Sequence, residues 1–306
     1  MVKKVLRGFV ILVIALLVLA AGAVASVYGI SSYHMNKTYN IPVKSFAVPT
    51  DQASIEHGQH LLTAIGKCTD CHGAHMQGQV FIDNANGFGR FVAANVTTGK
   101  GGLGSTLSTD DLVKVLRHGV KPDGTPVRFM PVDDYVNFSD ADLAAIIATI
   151  KHLKPVDNEL PPTTVGPIGR ALYATGNLPS LLPAEIIDHE AHPSAPPAGI
   201  TPEYGHYLAA TGGCLGCHGP GLSGGQVPGT PAGDPKFPPA ANISPTGIGK
   251  WSEADFFKAL RQGHRPDGSA INPFMPWALA GQMTDDEIKA IWIFLKTVPP
   301  KETGNR

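Results

Sequence analysis

Cys214-Leu215-Gly216-Cys217-His218 and its twin Cys68-Thr69-Asp70-Cys71-His72 decide how this chain is read. Each is C-x-x-C-H. At this spacing two thiols on one short turn reach the two vinyl groups of one porphyrin, and the next residue brings an imidazole to the iron. A single match would leave a zinc knuckle or a redox pair open. Zinc needs further Cys or His ligands around each pair, and neither rival explains a histidine directly after the second cysteine. Together the two matches use all four cysteines of the 306 residues. None is left for a disulfide or for a distal iron ligand. The motifs predict two covalently bound haem c groups, one on Cys68 and Cys71 and one on Cys214 and Cys217, with His72 and His218 as proximal iron ligands.

Working outward, the chain repeats itself at offsets of 144 to 147 residues. Glu56-His57-Gly58 answers Glu203-Tyr204-Gly205. Ala93-Ala94-Asn95 answers Ala240-Ala241-Asn242. Arg117-His118-Gly119 answers Arg261-Gln262-Gly263, and Phe129-Met130-Pro131 answers Phe274-Met275-Pro276. Met130 lies 58 residues after His72 and Met275 lies 57 after His218. Proline after each methionine disfavours helix and suits a loop that delivers a thioether to iron. Met130 and Met275 are therefore the expected sixth ligands, against the alternative of gap-filling core methionines. Met76 is too close to His72 to reach the opposite face. The remaining histidines are expected on the surface or in packing.

Helix signals repeat too. Ser108 and Ser252 read as N-caps with Asp111 and Asp255 three residues on, and Ser139 and Thr284 open the last helix of each half with Asp142 and Glu287 at the capping-box position. Each half is expected to be a compact all-α unit. Arg117 and Arg261 end the middle helices, where a guanidinium would either pair a haem propionate or simply suit a helix C-terminus. Asn95 and Asn242 suggest a structural turn or a hydrogen bond near each haem. All three tryptophans, Trp251, Trp277 and Trp292, fall in the second half.

The expected organisation is a membrane anchor or signal peptide (1–33), a tether (34–50), a first domain (51–155), a Pro-rich connector (156–200), a second domain (201–300) and a tail (301–306). Residues 8–30 carry no charge and follow Lys3, Lys4 and Arg7. That length spans a bilayer, and the basic flank keeps the N-terminus cytoplasmic. Small residues around Ala21 to Ala25 also fit a cleavage site. Either way the bulk of the chain is expected outside the cytoplasm, and an uncleaved single-pass anchor in the cytoplasmic membrane is favoured, with the haem domains on the periplasmic side. The formal net charge of −1 leaves no basic stripe for nucleic acid.

Residues 51–300 resemble a tandem pair of class I cytochrome c domains, as in membrane-anchored dihaem cytochromes c. The second half is similar to cytochrome c subunits of membrane-bound alcohol and gluconate dehydrogenases. The likeness runs through Cys214 to Gly219, the Asn242 turn, the Arg261 to Gly268 run and Phe274-Met275-Pro276-Trp277. The resemblance implies an electron carrier rather than an enzyme. Its redox partners would be a dehydrogenase, a quinol-oxidising complex or a terminal acceptor. The rival is a dihaem peroxidase-like oxidoreductase with one open haem site, against which the twin methionine motifs argue.

Overall fold

The computed structural model describes residues 2–44 and 46–305. Helix α1 (Val2–Asn36) is apolar along a window of mean hydropathy 2.9, all of it exposed. By length and composition it is able to cross a membrane. Only its last turns touch the rest of the protein, where Ser31 and Met35 are buried.

The first half contains α2 (Gln52–His60), which runs into a π-turn over Leu61–Ile65, then the short α3 (Cys68–His72), α4 (Thr109–His118), α5 (Val132–Tyr135) and α6 (Asp140–Lys151). The connector carries α7 (Pro167–Ala174). The second half has α8 (Pro202–Thr211), α9 (Cys214–His218), α10 (Pro245–Ile248), α11 (Glu253–Gln262), α12 (Trp277–Ala280) and α13 (Asp285–Thr297). Ser108, Ser252 and Thr284 close full capping boxes with Asp111, Asp255 and Glu287. In each half the first helix crosses the last at a glycine. A Cβ on Gly58 would sit 2.0 Å from the Ala145 carbonyl oxygen, and one on Gly205 2.0 Å from that of Ala290. Only glycine allows that approach.

The all-α expectation needs one correction. Strands β1 (Gln79–Asn84), β2 (Gly89–Ala93) and β3 (Thr164–Val165) form a small antiparallel sheet in the order β1-β2-β3. Val80, Phe81 and Ile82 face Phe91 and Val92 across a turn that holds Asn86-Gly87, which is hairpin chemistry. The second half has only an isolated bridge, Gly225 to Ala240, in the matching place. There Pro228, Pro231, Pro235, Pro238 and Pro239 supply no ladder donors.

The connector is packed rather than free. Leu178, Leu181 and Leu182 are buried in one cluster with Met35 of α1 and Phe91 of β2. Arg170 Nη1 donates to Ser31 Oγ (2.8 Å) and Ser32 Oγ (3.0 Å), and the guanidinium lies over Tyr28. Glu185 accepts from the hydroxyls of Tyr39 (2.8 Å) and Tyr173 and meets His34 Nδ1 at 2.6 Å. The end of α1 is thereby tied to the connector and the first half.

The two halves share one hydrophobic core. His60 on α2 and Tyr207 on α8 occupy equivalent positions. Each reaches the capping carboxylate of the other half's last helix. His60 Nε2 lies 2.8 Å from Glu287, and the Tyr207 hydroxyl donates to Asp142. The Ser139 N–H donates to Tyr207 Oη at 3.0 Å. The phenol therefore stands inside the capping box of α6, between the N-cap amide and its carboxylate.

Candidate functional site

Both attachment motifs fold into a single helical turn entered from a left-handed residue. Lys67 (φ 51°) precedes α3 and Gly213 (φ 72°) precedes α9. His72 Nδ1 lies 2.8 Å from the Ala94 carbonyl oxygen, and His218 Nδ1 lies 2.7 Å from that of Ala241. An Nδ1–H donated to a carbonyl fixes the tautomer and leaves the lone pair on Nε2, the form that binds a metal. Burial also holds His72 below the usual imidazole range, which favours that neutral form.

Asn95 and Asn242 build the carbonyl side of this contact. Asn95 Oδ1 accepts from the Thr97 amide (2.9 Å) and hydroxyl (2.8 Å), and its Nδ2 donates to Val156 O at 2.8 Å. Asn242 does the same with Ser244 and donates to Lys301 O. Each Asx turn starts one residue after the carbonyl that orients a motif histidine.

The cysteine chemistry fits thioether attachment. Burial pushes the Cys68 and Cys71 thiols up to about 11, and Cys214 also moves up. A reactive redox pair needs the opposite shift. Among the described residues, no three His, Cys, Asp or Glu side chains gather as metal ligands, so a zinc knuckle lacks its set. Two buried side-chain polar atoms lack a partner among the described residues, Thr69 Oγ1 and Arg128 Nε. One lies between Cys68 and Cys71, the other two residues before Met130. Such orphans are costly unless a further group fills the space beside them. Thr69, inside the first attachment motif, is therefore placed to meet something the chain itself does not provide.

Met130 and Met275 are half-buried at the edge of the shared core, the cluster that also receives Cys68, Cys214 and Leu215. Phe129 is left-handed (φ 59°), rare for a bulky residue. This turns Phe129 into the sheet cluster with Phe81, Phe88 and Phe91, and Met130 into the other core. Met76 is buried and left-handed, as is its twin Leu222, so it is a core residue.

Arg117 and Arg261 both bind groups of the protein at the start of the last helix of their half. Arg117 is 2 % exposed and donates to the carbonyls of Val136 (2.8 Å) and Phe138 (2.5 Å) and to Asp140 (2.7 Å). Arg261 donates to Gly281 O and to Asp285 at 2.5 Å. Both lash the loop after the methionine to the start of the last helix.

Missed from sequence was the junction between the motifs. Lys67 Nζ donates to Ile65 O (3.0 Å) and across the interface to Gly212 O (2.6 Å). Burial pushes this ammonium down. Asp134 approaches the same loop, and burial, with Asp133 adding to it, raises its carboxyl to about 7.

Residues 202–299 match the family described as Cytochrome c, and residues 53–149 match the family described as Cytochrome C oxidase, cbb3-type, subunit III. Each half therefore belongs to a cytochrome c family, and the chain carries two covalently bound haem c groups. It is 29% identical to the cytochrome c subunit of a quinone alcohol dehydrogenase from Gluconobacter oxydans, over 84% of this chain and 57% of the relative. It is 28% identical to the fructose dehydrogenase cytochrome subunit of Gluconobacter japonicus, over 86% of this chain and 56% of the relative. A diheme cytochrome c-type protein of Cereibacter sphaeroides is 34% identical over 35% of this chain and 40% of its own length. The chain thus spans little more than half the length of the first two relatives. These relatives are electron-transfer subunits rather than catalytic ones.

Proposed function

We propose that this chain is a membrane-anchored electron-transfer module in which Cys68 and Cys71 hold one haem and Cys214 and Cys217 the other. His72 and Met130 complete the first iron, and His218 and Met275 the second. The bound haems supply a one-electron Fe(III)/Fe(II) couple. The protein's part is to hold each imidazole through the Ala94 or Ala241 carbonyl and to seal the pocket with the shared core. Methionine opposite histidine raises a haem potential relative to two histidines, which suits the accepting end of a chain. The observation that carries the reading is the paired geometry: two motif histidines held in one tautomer, each with a Phe-Met-Pro loop packed on the same core.

Helix α1 serves as an uncleaved anchor, supported by its seating on Arg170 and Leu178 to Leu182 through its last turns. Lys3, Lys4 and Arg7 stay on the cytoplasmic side and the haem domains face the periplasm. The relatives' names point to a dehydrogenase as donor. Anchoring raises the effective concentration of the module beside such a partner.

The test is an optical spectrum of the dithionite-reduced protein before and after carbon monoxide. Unchanged spectra at both haems are expected. Ready binding at one haem would instead support the peroxidase-like alternative.

A further inference from the structure

Lys67 and Gly213 are equivalent residues at the entrances of α3 and α9, and both are left-handed. That conformation crowds any Cβ, so glycine is the expected occupant and the second half has it. Local folding offers no reason for lysine in the first half. The interface does. Lys67 Nζ donates to Gly212 O at 2.6 Å, two residues before Cys214, while its own backbone leads directly into Cys68. A second donation, to Ile65 O at 3.0 Å, fixes the side chain against the end of the π-turn. Asp134 presses on the same loop: a Cβ on Gly213 would lie 2.8 Å from its carboxylate, and one on Gly216 3.4 Å. Lysine of the first half thus ties down the second half's attachment loop, with Asp134 lying close beside it.

We infer that Lys67 is a positioning residue for electron exchange between the two haems, holding the two attachment loops at a fixed separation and joining them through one hydrogen bond. The inference rests on the reading that each motif carries a redox-active haem. The step moves one electron: one iron is oxidised as the other is reduced, and no bond or proton changes place. Geometry-dependent rates fall steeply when partners shift by about an ångström. Loss of this tie is therefore expected in the rate, with each haem's own ligands untouched.

The test uses the full-length, detergent-solubilised protein and a sub-stoichiometric reducing pulse, following absorbance as the two haems equilibrate. The wild type should show a first-order phase independent of protein concentration. Lys67→Gly, which copies the twin and suits the backbone, should slow that phase severalfold. Haem content and carbon monoxide insensitivity should hold. Lys67→Arg, which keeps a cationic donor, should restore most of the rate. A Lys67→Gly protein at the wild-type rate, or an arginine variant as slow as the glycine variant, would overturn the role of Lys67 alone. A wild type with no concentration-independent phase would overturn the underlying reading as well.

Discussion

Replacing Tyr207 by phenylalanine removes one hydroxyl from the junction between the halves and leaves the ring in place. Tyr207 is 8 % exposed, and its oxygen accepts the Ser139 amide at 3.0 Å while its proton goes to Asp142. A hydrogen bond to a charged group contributes about 1.5–3 kcal/mol, and a buried amide left without an acceptor costs about 1–3 kcal/mol. These do not simply add. In the variant Asp142 has room to swing back and accept the Ser139 amide, as Glu287 does for Thr284 at 2.7 Å. That return recovers the amide but weakens the bond from His57 Nε2, now 2.8 Å. The net loss is therefore close to that of the single charged hydrogen bond, about 2 kcal/mol. For a chain of 306 residues it lowers Tm by about 3 °C. The assay is thermal unfolding of the holoprotein followed by circular dichroism and haem absorbance. A double-mutant cycle with Asp142→Ala should return a coupling of about 1 kcal/mol or more. A Tyr207→Phe protein within about 0.5 kcal/mol of wild type, with no coupling to Asp142, would show that the relay contributes nothing. His60→Ala should cost less than Tyr207→Phe, because the Thr284–Glu287 box closes without it.

Acid should loosen the connector. His118 is buried against His189 (Nδ1 to Nδ1 3.2 Å), and burial first, then His189, Arg117 and His192, lower it from 6.5 to about 4. A depressed folded value means its stability is full above pH 6.5 and is lost as pH falls through 4, up to about 3 kcal/mol. Urea midpoints between pH 7 and 4 measure this, and His118→Gln should flatten the dependence. Asn95→Ala should raise the pH at which the first haem loses its histidine on acidification by about one unit, and Asn242→Ala should do so only at the second. Acid titration of the haem spectra separates the two.

Much of the site could be read from the sequence because the chemistry is local. C-x-x-C-H and Phe-Met-Pro each sit within a few residues, and the N-cap pairs Ser108/Asp111, Ser252/Asp255 and Thr284/Glu287 span only four. The hairpin was passed over because β1 and β2 are too short to show a period, although Asn86-Gly87 between apolar runs was a usable sign. The partners of Arg117 were not legible locally, because Val136, Phe138 and Asp140 lie about 20 residues away and are backbone atoms for the most part. The interface left no local trace. His60 and Tyr207 share neither chemistry nor neighbours, and their equivalence shows only when each is seen against the other half's capping carboxylate. Lys67 carried a faint signal: a side chain where its twin is glycine.

The central claim is that both haems are protein-ligated carriers of single electrons. The most direct measurement mixes fully reduced protein with a one-electron acceptor protein and, separately, with hydrogen peroxide. The account predicts two electrons delivered per chain to the acceptor, one from each haem, and negligible reaction with peroxide. Rapid oxidation by peroxide, with both electrons passing to one peroxide molecule at one haem, would contradict it.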